Sequence, residues 1–319
     1  MNFCHDLYQI PALSYLYRMK SDRFKGYLFA AIATIAFSNI YIFSKAALNE
    51  VHLAQFGVYW FFIAMVLSVA WLFKTGSHRA IAHLSKRQWL ILGLLGILEI
   101  LTTTSFFLSI QIIPDPAVTS FIGNLFPVIL TGMGIVFLHE RFTWLESFGA
   151  ILALIGAFII SYQGGTTLAD LFIPGTGVVL INAIFAATAS LVVKMNVKTM
   201  TPELLITNRV VWLFTFSLIM FFVYEQSFVI PARALVNIAI GATLGPFLAI
   251  LMIYYSFRYI EVSKSSIVQS LKGVFVLLGS YLYFHTLPLT HQLIGGGITI
   301  VGVLIISVSK ARLGQKKQA

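Results

Sequence analysis

Two charged side chains lie in stretches of this sequence that are otherwise apolar, and they are the residues best placed to do chemistry. Lys272 lies near the middle of Val262–Phe284, which is long enough to cross a bilayer, since ~20 residues suffice. A lysine at that depth costs at least ~2.5–3.5 kcal/mol, so something must compensate its charge. Glu99 lies in a second such stretch, Gln88–Ile110. A substrate anion, an internal carboxylate or a water-filled cavity could each compensate the lysine.

The composition identifies the protein class in which these charges occur. The chain is 59% hydrophobic and only 10% charged, whereas soluble domains are roughly 45–50% apolar and ~25% charged. We therefore expect a polytopic membrane protein with the lipid bilayer as its surroundings and no soluble domain. The net charge of +10 comes from basic residues in short loops, which membrane topology explains without a nucleic-acid partner. The single cysteine, Cys4, allows neither an internal disulfide nor a cysteine metal site.

About ten apolar segments of spanning length follow one another with short connections. They are Gly26–Ala46, Gln55–Phe73, Gln88–Ile110, Asp115–Leu138, Thr143–Tyr162, Thr176–Lys194, Glu203–Val223, Leu235–Phe257, Val262–Phe284 and Leu289–Ser307. Lysine and arginine are concentrated in alternate connections, and the other connections carry Arg233 as their only basic residue. This bias places both termini in the cytoplasm. Residues 1–25 would form a cytoplasmic segment with Met19 as an alternative start, and 309–319 a basic cytoplasmic tail.

The two halves of the chain resemble each other. The segment Phe126–Ser161 aligns without gaps on Lys272–Ser307, so that Gly156 recurs as Gly302 146 residues later. About five spans in each repeat is an odd number, so the two halves must have opposite orientations. This is the inverted-repeat plan of many secondary transporters. The sequence predicts an all-α membrane protein of ten transmembrane helices as two inverted five-helix repeats, residues 26–162 and 176–308, joined by an extracytoplasmic linker at 163–175.

A family resemblance rests on the end of the first repeat, "AVTSFIGNLFPVILTGMGIVFLHERFTWLESFGAILALIGAFII". Its most specific element consists of Leu138, His139, Glu140, Arg141, Thr143, Glu146 and Gly149. This stretch resembles the EamA-type transporters of the drug/metabolite transporter superfamily, and the resemblance extends from Gly26 to Ser307. It implies two tandem copies, ten helices and cytoplasmic termini. The second copy departs from the pattern at Thr286 and Leu287, and the first has Phe126 where the family often has glutamate.

The repeat also brings the candidate site residues together. It pairs Glu99 with Gly245 and Lys272 with Phe126, and prolines next to Gly245 and Phe126 interrupt their helices near mid-membrane. Midplane charges beside broken helices at a repeat interface indicate a substrate site. The site is completed by three polar residues, Asn124, Gln269 and Asn39, and by Arg209 with Trp60, its equivalent in the first half. The predicted substrate-binding residues are Lys272, Glu99, Asn124, Gln269, Asn39, Trp60 and Arg209.

Each charged group has alternative interpretations. Glu99 and Lys272 could form a buried ion pair, Lys272 could bind a substrate carboxylate or phosphate, or Glu99 could carry protons, which a nearby lysine would oppose. Arg209 corresponds to Trp60 in the first half, and either could line the cavity or lie at the interface. For Lys45, near the outer end of the first span, we expect the side chain to extend to the lipid headgroups.

These patterns favour a transporter without cofactor over an enzyme. "HERF" lacks the second histidine of a zinc-protease motif, and no phosphate-binding loop for ATP is present. We expect a secondary transporter, monomeric or homodimeric, that moves a small organic metabolite, amino-acid-like or carboxylate-bearing, as an exporter in a bacterial inner membrane. Proton coupling is a possible driving force. The alternative is a multidrug or sugar-phosphate-type exchanger. "VQSLKGVFVLLGS" is similar to the lysine-bearing ninth helix of sugar-phosphate translocators, but these have Lys-Arg at Lys272-Gly273, which favours the carboxylate.

Overall fold

The computed structural model describes residues 11–138, 143–162, 172–260, 265, 268–269 and 271–316. The described residues are almost entirely helical, and their only bridge of β type joins Tyr162 to Phe172. The expected all-helical class is therefore confirmed. The central part of the family element at residues 139–142 and most of the linker, 163–171, lie outside the described residues.

The described helices follow one another with short turns. They are α1 (Pro11–Leu48), α2 (Leu53–Lys74), α3 (Lys86–Ile112), α4 (Pro116–Gly123), α5 (Phe126–Leu138), α6 (Trp144–Ser161), α7 (Thr176–Asn196), α8 (Pro202–Val223), α9 (Ala232–Ala242), a π-helical segment (Thr243–Ala249), α10 (Ile250–Tyr259), α11 (Lys272–Phe284) and α12 (Thr290–Lys316). A short 3₁₀ helix at Ser77–His83 connects α2 to α3.

Six of the described helices are long and apolar enough to cross a membrane. They are Phe24–Leu48, Leu53–Lys74, Lys86–Ile112, Thr176–Asn196, Pro202–Val223 and Ala232–Tyr259. Four shorter apolar helices accompany them, at Pro116–Leu130, Ser147–Ser161, Lys272–Phe284 and Thr290–Ile305. All ten correspond in position to the apolar segments expected from the sequence.

Two of the segments contain a helix start within their length; the sequence predicted an interruption at Pro127 in the fourth segment but none in the ninth. The fourth segment is divided into α4, which ends at Gly123, and α5, which begins at Phe126. Pro127 then lies in the first turn of α5, where its missing N–H breaks no helical hydrogen bond. In the ninth segment α11 begins at Lys272. Lys272 and Phe126 are therefore the first residues of helices, and their expected mid-helix position is wrong.

Helix starts are set by local capping. Ser85 and Gln88 form a capping box at the start of α3, in which each side chain accepts a bond from the other's backbone. Asp115 caps α4 by accepting a 2.8 Å bond from the backbone N–H of Ala117. Pro116 directly follows this cap residue, at the first position of the helix, which proline favours. The residues Asp115 and Pro116 therefore determine where α4 begins.

The helices of the first half pack mainly against those of the second. The main pairs are α2 with α8, α6 with α12, α4 with α11, α1 with α9 and α10, and α3 with α7. At the level of the ten segments, in which α4 and α5 form the fourth and α11 belongs to the ninth, the list is unchanged when the two halves are exchanged. Glycines allow the closest of these contacts. A Cβ added at Gly156 would lie 2.6 Å from the carbonyl oxygen of Gly295, and one at Gly302 would lie 2.6 Å from that of Gly149.

Candidate functional site

A cavity lies between the two halves, bounded by α1–α5, α7, α8, the π-helical segment, α10 and α11. It offers about 140 Å³ to the centres of water-sized molecules, many times the ~10–15 Å³ that one buried water requires. Its wall is mainly aromatic and aliphatic, and its polar lining residues are Glu99, Thr102, Thr103, Asn182, Ser190, Arg209, Gln269 and Lys272. An apolar wall with a few polar groups is typical of a site for a small organic molecule.

An ion pair crosses one side of this cavity. The Nε of Arg209 on α8 donates to Oε2 of Glu99 on α3 over 2.6 Å. The other carboxylate oxygen, Oε1, accepts a 3.1 Å bond from the Tyr254 hydroxyl on α10. Arg209 Nη2 also donates to the Thr103 hydroxyl over 3.0 Å. Since both charged residues are buried, the geometry satisfies the condition under which a buried pair is stable.

This arrangement corrects one of the alternatives drawn from the sequence. The expected ion pair between Glu99 and Lys272 is wrong, because Arg209 is the partner of Glu99. Arg209 is 9% exposed and directed into the protein, so an interfacial position for it is also wrong. The pair joins residues 110 apart in the chain, and no local pattern connects them.

Lys272 meets aromatic rings in place of a carboxylate. Its Nζ lies 5.7 Å from the ring centroid of Phe37 and 6.0 Å from that of Tyr41. Within the described parts of the chain, no carboxylate lies within 4.0 Å of this ammonium. Cation–π contacts of this kind are worth ~0.5–2 kcal/mol, less than the cost of placing a lysine at that depth. Among the described residues, these contacts therefore do not compensate the buried charge.

The electrostatics of the cavity follow from these two observations. The charges of Glu99 and Arg209 cancel, so Lys272 leaves a net charge of +1 among the described lining residues. Lys272 is also the first residue of α11, and the first turn of a helix presents N–H groups that favour an anion. The arrangement suits one anionic group.

The other predicted site residues divide into two groups. Gln269 lines the cavity, and its amide donates to the Ser265 hydroxyl over 3.0 Å. Trp60 also lines it, fully buried, with its ring against Gly241 and Gly245. The glycine-rich face of α9 and the π-helical segment accommodates this large ring.

Asn39 and Asn124 are not among the described lining residues. The amide of Asn39 donates to the carbonyl of Ile35 on its own helix over 2.8 Å. Asn124 is buried at the end of α4, next to Gly273 of α11, so it lies in the contact between the two interrupted segments. Asn182 and Thr103 line the cavity and were missed from the sequence. The run of three threonines at 102–104 is the sequence feature that could have indicated that this part of α3 lines the cavity.

Lys45 is buried where the sequence predicted extension to lipid headgroups. It is 7% exposed, and its Nζ donates to the carbonyl oxygens of Ile110 (2.9 Å), Gln111 (3.2 Å) and Ile113 (3.0 Å). These carbonyls end α3 and have no intrahelical partners of their own. A cation is favourable there because the helix dipole is negative at this end.

Lys194 makes the equivalent contact in the second half. Its Nζ donates to the carbonyl oxygens of Phe257 and Ile260, each over 2.8 Å, at the end of α10. Lys194 follows Lys45 by 149 residues, the spacing that also relates Trp60 to Arg209. One lysine in each half therefore caps the C-terminus of a helix that follows it in the chain.

A bundle of apolar helices around a largely apolar cavity with a few polar and charged groups is the architecture of a polytopic membrane protein. The chain belongs to the EamA-like transporter family, whose sequence profile matches residues 24–162 and again 173–308. The resemblance seen in the sequence is thereby confirmed over nearly the whole chain. Its class is that of membrane transporters of small molecules, and not of enzymes.

Comparison with individual proteins agrees with this. The chain is similar to a WAT1-related protein of Arabidopsis thaliana, with 28% identity over 130 residues, which are 39% of this chain and 36% of that protein. The match thus spans about a third of that relative's length. A crystal structure is similar in fold, with a TM-score of 0.65 and 17% identity over 92% of this chain and 99% of the other.

Proposed function

We propose that the protein is a secondary transporter that exports a small organic molecule bearing one carboxylate, such as an amino acid, through this cavity by alternating access. The observation that carries the proposal is the Lys272 ammonium, which has no carboxylate partner in the described chain and lies in a cavity whose other two charges neutralise each other. The carboxylate of the substrate would replace the aromatic faces as the partner of Lys272.

We further propose ten spans in two inverted repeats, 26–162 and 176–308, with both termini cytoplasmic in a bacterial inner membrane. The pairing of helices supports this, because it is unchanged when the two halves are exchanged. The two equivalent lysine caps support it as well. A central cavity at the interface of such repeats is where alternating access requires the substrate site.

Charge favours a carboxylate over a phosphate ester. At an effective dielectric constant of 20, one unit charge 4 Å from Lys272 gains ~4 kcal/mol, enough to offset the cost of the buried lysine. The second charge of a phosphate dianion would have no cationic partner among the described lining residues, since Arg209 is bound to Glu99. The amide oxygens of Asn182 and Gln269, which line the same cavity, are suited to accept bonds from a substrate ammonium.

The test is uptake and efflux in proteoliposomes containing wild type, Lys272→Ala or Lys272→Arg. The panel contains amino acids, keto acids, phosphate esters and cationic drugs, each with and without a proton gradient. We expect a carboxylate-bearing compound to move in the wild type, to be lost in Lys272→Ala and to return in part in Lys272→Arg. Lys74→Ala is the matched control, because Lys74 also lies over an aromatic ring, that of Trp71, but is exposed outside the cavity.

Two outcomes would contradict the proposal. Transport of cationic drugs at equal rates by wild type and Lys272→Ala would make the protein a multidrug exchanger and the lysine a structural residue. Preference for phosphate esters over carboxylates would favour a sugar-phosphate-type exchanger instead.

A further inference from the structure

A second cavity lies between α2, α3 and α8, and its volume of about 300 Å³ is about twice that of the central cavity around Lys272. Three of its polar lining residues, His52, Gln111 and Tyr224, are exposed and lie where α2 begins and α3 and α8 end. Because the ends of spanning helices lie near the membrane surface, the cavity opens at one surface of the bilayer. The proposed orientation makes this the extracytoplasmic surface, so we call this space the outer cavity.

The outer cavity and the central cavity share one wall, because Phe61, Thr103 and Phe107 line both. All three residues are buried, and the ring centroids of Phe61 and Phe107 are 6.3 Å apart. Phe61 lies eight residues after the first residue of α2, which is ~12 Å along the helix axis and nearly half of the ~30 Å hydrocarbon core. One layer of side chains, which we call the partition, therefore separates the two cavities near mid-membrane.

The outer cavity offers neutral hydrogen-bond donors to a solute. Nδ1 of His52 accepts a 3.2 Å bond from the backbone N–H of Ala54, so the neutral ring carries its hydrogen on Nε2, which is able to donate. The amide of Gln111 and the hydroxyl of Tyr224 are further donors. No lysine or arginine is among the described residues that line this cavity. A carboxylate there would lack the full opposite charge that Lys272 supplies in the central cavity, so it would be bound more weakly, as release into water requires.

In the second half of the chain, the equivalent region is filled. The spacing of 149 residues relates α2 to α8, and the spacing of 146 residues relates α3 to the segment that contains α10. The equivalents of the partition residues are therefore Val210, Ala249 and Ile253, all of them buried. A hydrophobic core between α2, α8 and α10 occupies this place and includes Ala64, Leu205, Ile206, Val210, Ile253 and Phe257. The same set of helices thus encloses a cavity at one end of the bundle and a packed core at the other.

The sequence explains this difference between the two ends. The Tyr255 hydroxyl on α10 donates to the buried Glu203 carboxylate at the start of α8, which joins the two helices. The equivalents of Glu203 and Tyr255 at the outer cavity are Ala54 and Ser109. The alanine side chain cannot accept this bond, and the Ser109 hydroxyl donates over 2.7 Å to the carbonyl of Phe106 on its own helix. These two residues therefore cannot form the bond that holds the packed end together.

We propose that the outer cavity is a second substrate site on the export path, in which a small organic anion is held by neutral donors after it leaves Lys272 and crosses the partition. This rests on the proposed transport by alternating access. The packed core between α2, α8 and α10 is then the equivalent gate on the cytoplasmic side, in the opposite state. The path leaves the centre of the bundle between α2, α3 and α8, and Phe61 and Phe107 control passage along it.

The first test measures whether the outer cavity is accessible to a small anion. Single cysteines are introduced after Cys4→Ser has removed the natural cysteine, and the probe is the membrane-impermeant anion sulfonatoethyl methanethiosulfonate. Ser217 lines the outer cavity, whereas its equivalent Ser68 lies at the packed end, and both are buried. In nanodiscs, which expose both membrane faces, we expect Ser217→Cys to react at least ~10-fold faster than the matched control Ser68→Cys, because a buried thiol without solvent access is inert. Thr104→Cys, on the α3 wall of the same cavity, is a second variant with the same expectation.

The second test measures the partition, with the same reagent added only to the extracytoplasmic face of right-side-out vesicles. Ser190 lines the central cavity, so the reagent must cross the partition to reach Ser190→Cys. Phe107→Ala leaves a gap in the partition, and we expect it to raise the reaction rate of Ser190→Cys at least ~10-fold while that of Ser217→Cys is unchanged. Phe61→Ala should act in the same direction from α2. Phe106→Ala is the matched control, because Phe106 lines only the central cavity, and we expect it to leave both rates unchanged.

The third test connects the outer cavity to transport in the proteoliposome assay. Complete modification of Ser217→Cys before reconstitution should abolish efflux, because the added group fills the path. Val229→Cys is the matched control, since Val229 is 83% exposed at the same end of the bundle and lines neither cavity. We expect its modification to leave efflux unchanged.

Equal reaction rates of Ser217→Cys and Ser68→Cys would overturn the proposal, as would wild-type efflux after complete modification of Ser217→Cys. A rate for Ser190→Cys that is the same with and without Phe107→Ala would refute the partition. The reaction rates do not depend on the substrate. Failure of every carboxylate to move, with these rates as expected, would therefore refute the proposed substrate, and the two cavities would still form a path through the protein. Reaction of Ser217→Cys only from the cytoplasmic face would refute the proposed orientation.

Discussion

Replacing Glu99 alone should destabilise the protein far more than its local contacts suggest. In Glu99→Gln the Arg209 guanidinium remains buried at 11% side-chain exposure without its counter-ion. Leaving one charge of a buried pair uncompensated costs about 3–5 kcal/mol. We expect Arg209→Gln to cost a similar amount, because it strands the carboxylate.

The double variant Glu99→Gln/Arg209→Gln should cost much less than the sum of the two. Its expected cost is that of a lost charge-assisted hydrogen bond, ~1.5–3 kcal/mol, because neither charge is then left alone. The coupling free energy should therefore exceed ~2 kcal/mol. The measurement is the free energy of unfolding in detergent micelles, titrated with sodium dodecyl sulfate and followed by circular dichroism.

The matched control is the second described ion pair, Glu50 with Arg233 at 3.6 Å. The Arg233 side chain is 76% exposed, and exposed pairs contribute ~0–1 kcal/mol. Glu50→Gln should thus leave the free energy of unfolding nearly unchanged. Additive costs of Glu99→Gln and Arg209→Gln in the double variant would refute the pairing, as would a Glu99→Gln cost as small as that of the control.

Other substitutions test the lysine caps and the glycine contact. Lys45→Met and Lys194→Met should each lower the free energy of unfolding by about 1–3 kcal/mol, because buried carbonyls lose their donors. Lys198→Met, at an exposed position close to Lys194, should change it by less than ~0.5 kcal/mol, and equal effects at all three lysines would contradict the caps. Gly302→Ala should cost about 1–3 kcal/mol by overpacking, since its Cβ would lie 2.5 Å from the backbone nitrogen of Ala153. Gly297→Ala, where no atom lies within 4 Å of the added Cβ, should be neutral or stabilising in the same unfolding titration, and equal losses would contradict the close contact.

The positions of the spans could be read from the sequence because a membrane imposes length and polarity on every helix. The rotation of each helix about its axis could not. Asn39 and Gln269 look alike as polar residues in apolar segments, yet Gln269 faces the cavity and Asn39 bonds to its own helix. Lys45 shows the same difficulty, because its depth predicted the lipid interface whereas the end of α3 supplies three carbonyls at that depth.

Contacts between residues that are far apart in the sequence could not be predicted either. Lys272 was the candidate partner of Glu99 in the sequence, and only the packing of α3 against α8 shows that the partner is Arg209. The repeat correctly related Lys272 to Phe126, since both begin a helix. It did not indicate the helix start at Lys272, because Pro127, which marks the interruption in the first half, has no counterpart beside Lys272.

The two lysine caps have a consequence for how the protein is made. Lys45 leaves the ribosome at least 65 residues before the carbonyls it will cap, and Lys194 at least 63 residues before its own. Each lysine must therefore enter the membrane with its first helix while its acceptors are still unsynthesised, at a cost of ~2.5–3.5 kcal/mol if it reaches the bilayer centre. Each of these two contacts can thus form only after α3 or α10 has been synthesised, and both join helices of the same half, whereas most of the helix packing joins the two halves.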